Sequence, residues 1–168
     1  MKTEKLFYVL IIYLLSFGQG YSSVLTEACE KGDAESCYGL ANMYYKDGAV
    51  QDYVKSNEYL AKACDGGKLE ACFDLAVMIS KGNGAEQDFL KVNKIYEETC
   101  SKGYMKSCVN LGESYKRGTG VDIDNVKAEE LFKFACDKGN YGGCFNLANG
   151  YAERADYEAA NKHYKKIC

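Results

Sequence analysis

Cysteine is the residue type in this chain whose number and spacing point most directly to chemistry. The chain has nine cysteines, and eight of them form pairs with seven residues between the two members. Zinc motifs use shorter spacings, so we expect no metal site and predict a disulfide bond within each pair. The predicted bridges are Cys29–Cys37, Cys64–Cys72, Cys100–Cys108 and Cys136–Cys144.

A bridge within a pair requires the chain to reverse direction between its two cysteines. Residues eight apart in a continuous helix are separated by about 12 Å, whereas a disulfide accepts about 4.4–6.8 Å between Cα atoms. A glycine three residues after the first cysteine permits this reversal, because glycine adopts the left-handed conformation that ends helices. Each bridge is therefore predicted to join the end of one helix to the start of the next. The glycines are Gly32, Gly67, Gly103 and Gly139.

The spacing between pairs shows an internal repeat. Successive pairs begin 35, 36 and 36 residues apart, and such a period is typical of a repeat array. Three residues after each second cysteine stands a leucine followed by a small residue, a combination that permits close helix–helix contact. Twelve residues before the next first cysteine stands an aspartate, predicted to cap the second helix of the repeat. The aspartates are Asp52, Asp88, Asp124 and Asp156, and the leucines are Leu40, Leu75, Leu111 and Leu147.

Each repeat is thus predicted to be a helical hairpin, with a first helix near Cys37 to Lys46 and a second near Tyr53 to Cys64. The connecting loops carry paired glycines, which give the backbone freedom of a turn. The last repeat lacks four residues, most simply in the loop near residues 153–155. Cys168 occupies the first-cysteine position of a fifth pair, so it is a free thiol, pairs between molecules, or marks a truncated array.

The first 20 residues are predicted to be an export signal, cleaved after Gly20. Lys2 and Lys5 give a basic start, and an apolar run follows from Leu6 to Leu15. This run is too short for a stable membrane anchor, which needs about 20 residues. We therefore expect residues 21–168 to form a repeat domain that is secreted or periplasmic, in a compartment where disulfides persist. With a net charge of -3 and no basic run, nucleic acid and anionic membrane surfaces are poor partners.

The third repeat resembles a known one. Its pattern is Leu111-Gly112, Tyr115, Gly118-x-Gly120-Val121, Asp124, Lys127-Ala128, Leu131-Phe132 and Ala135. This pattern resembles the Sel1-like repeat, a relative of the tetratricopeptide repeat. The paired cysteines and the signal make residues 25–168 similar to the cysteine-rich protein family of Helicobacter. The resemblance implies an all-α, right-handed superhelix of disulfide-stapled α/α hairpin repeats.

The same resemblance implies two classes of function. Members of the Helicobacter family are described as penicillin-binding proteins and β-lactamases, so one expectation is the binding and slow hydrolysis of β-lactams. Related repeats elsewhere are adaptors, so the alternative is a non-enzymatic scaffold outside the cytoplasm for a peptide, a cell-wall fragment or a partner protein.

The sequence itself identifies no catalytic residue. Serine β-lactamases use a Ser-x-x-Lys motif, and no serine here has lysine three residues later. Zinc hydrolases need several histidines, whereas this chain has only His163, at a repeat position where Tyr59, Ile95 and Leu131 indicate the core. No cofactor is expected.

A binding surface is easier to place. In related repeats the first helices line the concave face, and the positions two, five and nine after the second cysteine share one side of such a helix. Asparagine, lysine and arginine there would bind a peptide backbone or a carboxylate, including that of a β-lactam; the alternative is a merely solvated helix face. The positions are Gly39, Asn42 and Lys46; Asp74, Val77 and Lys81; Asn110, Glu113 and Arg117; and Asn146, Asn149 and Glu153.

Overall fold

A computed structural model of the chain describes residues 22–46 and 51–165. The predicted export signal, its cleavage site after Gly20, and Cys168 lie outside the described residues. The chain divides into two compact units, Met1–Ala71 and Cys72–Cys168.

The regular elements of the described ranges are all α-helices, which confirms the predicted all-α class. None of these helices is both long enough and apolar enough to cross a bilayer. In the first unit α1 covers residues 22–30, and α4 begins in that unit and continues into the second. The remaining bounds are α2 Ala34–Tyr45, α3 Tyr53–Asp65, α4 Leu69–Lys81, α5 Phe89–Ser101, α6 Met105–Arg117, α7 Asn125–Asp137, α8 Tyr141–Glu153 and α9 Tyr157–Tyr164.

The predicted aspartate caps are confirmed at all four second helices. Each side chain accepts a hydrogen bond from the backbone N–H three residues later, as Asp124 Oδ1 does from Lys127 N at 2.9 Å. The first helices have caps that the repeat pattern does not reveal. Asp33 caps α2 through Ser36 N, so that helix begins at Ala34, three residues before the predicted start. Asn140 caps α8 in the same way.

The predicted chain reversals and disulfides are also present. The four glycines that follow the first cysteines have φ angles between 82° and 92°, in the left-handed region. The reversals bring Cα atoms to 4.7 Å for Cys29–Cys37, 4.8 Å for Cys100–Cys108 and 4.4 Å for Cys136–Cys144. Cys64 and Cys72 are also disulfide-bonded. The three bridges thus close the turns from α1 to α2, from α5 to α6 and from α7 to α8.

The core of the second unit follows the repeat. One cluster contains Ala76, Ile79, Val92, Tyr96 and Leu111, and the next contains Ala128, Phe132, Cys136, Cys144 and Leu147. The leucine–small pairs are buried as expected, except that Leu75 is only half-buried.

The last hairpin loop is residues 154–156, whereas the two preceding loops are residues 82–88 and 118–124. The four missing residues therefore fall in this loop, where they were predicted.

Candidate functional site

Two clefts in the second unit occupy equivalent positions in consecutive repeats. The first, of about 270 Å³, is here called the Tyr96 cleft, and the second, of about 280 Å³, is called the Phe132 cleft. The Tyr96 cleft is defined by Ser80, Val92, Tyr96, Asn110, Glu113 and Arg117. The Phe132 cleft is defined by Lys116, Ala128, Phe132, Asn146, Glu153 and Arg154.

The repeat itself explains why the clefts match. Tyr96 and Phe132 each stand eight residues after the aspartate that caps their helix, and both are only 4% exposed. Asn110 and Asn146 each stand two residues after the second cysteine of a pair. Because the caps and the bridges set the register of each hairpin, the same positions form a floor and a wall in both repeats. The clefts differ only in the side chains placed there.

The Tyr96 cleft contains a polar pair at its base. Asn110 Nδ2 on α6 donates to the Tyr96 hydroxyl oxygen on α5 at 3.0 Å. Within the described part of the chain, the Tyr96 hydroxyl hydrogen has no acceptor and Asn110 Oδ1 has no donor. Burial raises the pKa of the Tyr96 hydroxyl above its ordinary value, and the hydrogen bond from Asn110 opposes this effect. The hydroxyl is therefore protonated at neutral pH and able to donate into the cleft.

The rim of the Tyr96 cleft is charged but internally balanced. Arg117 Nη2 lies 3.0 Å from Glu113 Oε2, and the arginine side chain is 74% exposed. The two serines of the cleft donate to carbonyls of their own helices: Ser80 Oγ to Val77 O at 2.8 Å, and Ser114 Oγ to Asn110 O at 3.1 Å. Such bonds are the ordinary packing of serine within a helix, rather than the activation by a base that a nucleophile needs.

The Phe132 cleft has the same frame with different chemistry. A phenylalanine replaces the tyrosine, so the polar pair is absent from its base. Two ion pairs fix the end of α8 to its neighbours: Lys116 Nζ lies 2.9 Å from Glu153 Oε1, and Arg154 Nη1 lies 2.8 Å from Glu129 Oε2. This cleft therefore has an apolar floor of Ala128 and Phe132 beneath a charged rim.

The structure brings only some of the predicted binding residues together. Asn110, Glu113 and Arg117 share the Tyr96 cleft, and Asn146 and Glu153 line the Phe132 cleft. Asn149 instead accepts a hydrogen bond from the Tyr164 hydroxyl.

The remaining positions lie elsewhere. Asn42 is half-buried on α2 and Lys46 is the exposed C-cap residue of that helix, both in the first unit. Asp74 is half-buried and Lys81 is exposed, both on α4, and neither lines the Tyr96 cleft.

The repeat pattern does not predict Tyr96, Lys116 or Arg154 as site residues. The sequence does contain one signal for Tyr96. It has a polar hydroxyl at a core position where the next repeat has phenylalanine. Lys116 and Arg154 lie one residue outside the pattern used, and the repeat gives no signal for them.

His163 lies in a packing environment. Its ring stacks on Tyr151, with centroids 5.5 Å apart and planes 2° apart, and its Nδ1 lies 3.9 Å from Cys136 Sγ. In residues 22–46 and 51–165, no group of three or more histidine, cysteine, aspartate or glutamate side chains could hold a metal ion.

Comparison with known proteins agrees with this architecture. The Sel1 repeat family matches residues 34–68, 69–104, 106–140 and 142–168. A Sel1 repeat protein from Oxalobacter formigenes is similar with a TM-score of 0.81 and 21% identity, over 87% of this chain and 62% of that one. A protective antigen of uropathogenic Escherichia coli with an SLR fold is similar with a TM-score of 0.78 and 24% identity, over 87% of this chain and 32% of that one. Both likenesses show the fold, and the chain spans less than two thirds of either protein.

Cysteine-rich protein B of Helicobacter pylori is also similar, with a TM-score of 0.57 and 25% identity. That match covers 78% of this chain and 92% of the Helicobacter protein. A comparison with curated proteins gives no match.

Proposed function

The chain belongs to the Sel1 repeat family, and from this membership we propose that it is an interaction scaffold that binds an extended peptide segment of a partner protein. Stacked helical repeats present extended surfaces for such ligands. The observation that carries the proposal is the recurrence of one cleft, with an asparagine wall over a buried floor, in two consecutive repeats.

The chemistry of the clefts suits a peptide. Each volume, about 270–280 Å³, is of the size of one large side chain with part of its main chain. Asn110 and Asn146 place an amide at the same repeat position, and amides pair with peptide N–H and C=O groups. Packed helices lie about 8–10 Å apart and an extended peptide rises about 3.3 Å per residue, so ligand residues a few positions apart would meet similar polar groups in successive repeats.

The disulfides support a location outside the cytoplasm. Cytosolic thiols are kept reduced, whereas exported proteins retain their bridges. The predicted signal at residues 1–20 and the cysteine pairs therefore point to the same compartment. We propose that the scaffold acts in the periplasm or after secretion, and that it binds its partner there.

Hydrolysis of β-lactams, which the Helicobacter resemblance implies, has less support. It rests on the family resemblance alone, and Ser80 and Ser114 both donate to backbone carbonyls in the Tyr96 cleft. The purified oxidised chain should therefore give no more turnover of a chromogenic cephalosporin than the same chain reduced and unfolded. Turnover that depends on the folded chain would favour the hydrolase instead.

Selection from a randomised, N-acetylated and C-amidated heptapeptide library on the oxidised chain tests the scaffold proposal. We expect a family of related sequences, whose binding falls when Asn110 and Asn146 are both replaced by alanine. Asn161→Ala, at an exposed position of α9, is the matched control. Failure to enrich any sequence, or binding only of soluble cell-wall fragments assayed in parallel, would overturn the peptide proposal.

A further inference from the structure

We propose that the Tyr96 cleft is the main-chain recognition pocket of this scaffold, in which the Tyr96 hydroxyl and Asn110 bind the C=O and N–H of one ligand residue. This inference rests on the proposed function, because it assigns the chemical group that a bound peptide presents to one cleft. It assigns to the neighbouring Phe132 cleft an apolar side chain of the same peptide.

The unused hydrogen-bonding groups of the Tyr96 cleft carry the argument. The bond between Tyr96 and Asn110 uses one of the two lone pairs of the hydroxyl oxygen and one of the two amide hydrogens. It leaves one strong donor, the hydroxyl hydrogen, beside one strong acceptor, Asn110 Oδ1. Because Tyr96 lines the cleft, its hydroxyl hydrogen can rotate toward a space that a ligand can fill. A ligand acceptor there would form an additional hydrogen bond and so add affinity.

A donor beside an acceptor selects among ligand groups. The N–H and C=O of one residue in an extended strand point to the same side, so they match this pair. A carboxylate offers acceptors only; it would face Asn110 Oδ1, and the rim arginine, Arg117, already pairs with the Glu113 carboxylate. The cleft therefore disfavours a free carboxylate and favours an uncharged peptide unit.

The Phe132 cleft provides an internal comparison. Phe132 has the same repeat position and the same 4% exposure as Tyr96, but it has no hydroxyl. Its floor, with Ala128 at 2% exposure, is apolar. Removing the hydroxyl of Tyr96 should therefore make the first cleft like the second, with little change of shape.

The experiment uses the heptapeptide with the highest affinity from the library and a set of its variants in which single amides are replaced by esters. An ester removes the N–H donor of one residue and weakens the carbonyl acceptor of the residue before it. The ester that removes the N–H of the bound residue should weaken binding to the oxidised wild-type chain about tenfold, but binding to Asn110→Ala by no more than about twofold. The ester at the following residue, which weakens the bound C=O, should weaken binding to the wild-type chain more than binding to Tyr96→Phe. Tyr96→Phe alone should weaken binding of the parent peptide about fivefold.

Tyr115→Phe is the matched control, because its hydroxyl accepts a hydrogen bond from Lys127 Nζ at 2.6 Å and it does not line the Tyr96 cleft. It should leave the ester profile unchanged. If peptides bind but Tyr96→Phe keeps the wild-type ester profile, the pocket assignment is wrong and the scaffold proposal stands. If no heptapeptide binds the wild-type chain, both are overturned.

Discussion

Gly112 lies directly against the ring of Phe132, so closely that a Cβ atom at residue 112 would stand 2.6 Å from Phe132 Cε1. The other repeats have alanine at this position: Ala41, Ala76 and Ala148. The second helix of the same hairpin places the Phe132 ring against Gly112, so a side chain at residue 112 would force that ring to shift.

Gly112→Ala is predicted to lower the free energy of unfolding by about 1 kcal/mol. Overpacking a buried contact costs about 1–3 kcal/mol, and the better helix propensity of alanine recovers about 0.5–1 kcal/mol of this. Urea unfolding of the oxidised chain, followed by circular dichroism, measures the change. Gly150→Ala is the control, because a Cβ there meets no atom within 4 Å. It should stabilise α8, and an equal stabilisation by Gly112→Ala would contradict the packing account.

Removal of the Cys100–Cys108 bridge, by the double change to alanine, is predicted to cost about 2.5 kcal/mol. The chain-entropy model gives this value for a closed loop of nine residues. Both cysteines are buried, and alanine avoids placing an unpaired thiol in the core. The midpoint of urea unfolding under non-reducing conditions measures the loss, with the exposed Ser101→Ala as control. An unchanged midpoint would show that this bridge contributes no stability.

Asp124→Ala is predicted to lower the free energy of unfolding by about 1 kcal/mol, through loss of the cap on α7. The side chain accepts a hydrogen bond from Lys127 N at 2.9 Å, a donor that otherwise has no partner within the helix. Asp124→Asn should retain most of the stability, because asparagine caps helices equally well. Asp122→Ala, two residues earlier and exposed, should have little effect on thermal unfolding. Equal losses at both positions would argue against capping.

Stability in alkali should depend on Tyr96. Burial raises the pKa of its hydroxyl, so the protonated form is favoured in the folded chain. As the pH rises through about 10, the unfolded chain loses its proton first, and the free energy of unfolding falls until the folded pKa is passed. Tyr96→Phe should therefore lose less stability than the wild-type chain between about pH 9 and pH 11. Tyr157→Phe, at a residue 66% exposed, is the control; parallel pH profiles for Tyr96→Phe and the wild type would refute the prediction.

Much of the fold could be predicted because each structural requirement recurs at a fixed interval. A capping aspartate, a left-handed glycine and a cysteine pair depend on the local backbone, so the sequence pattern identifies them directly. The repeat pattern predicts too late a start for α2 because the cap of that helix, Asp33, has no equivalent aspartate before the other first helices. Tyr104 occupies that place before α6 without any side-chain cap bond.

The candidate site was predictable only in part, because a cleft combines side chains from three helices. One side of the first helix was identified, and Asn110, Glu113 and Arg117 do lie together. The floor, however, comes from second helices, where the repeat makes Tyr96 and Phe132 look like interchangeable core residues. The hydroxyl that distinguishes Tyr96 from Phe132 matters for binding only because the fold places it beside the Asn110 amide of the next hairpin.

The short sequence separation of the bridged cysteines also affects how the disulfide bonds form during synthesis. Each of the three bridges joins a cysteine to the next cysteine along the chain, with a sequence separation of 8. Closing such a small loop costs less entropy than closing a long one, so the nearest thiol is also the favoured partner. If the chain is exported as proposed, the turn between two helices can thus be oxidised correctly while later repeats are still crossing the membrane. The disulfide bonds can therefore form in the order in which the chain is synthesised, from the N-terminus to the C-terminus.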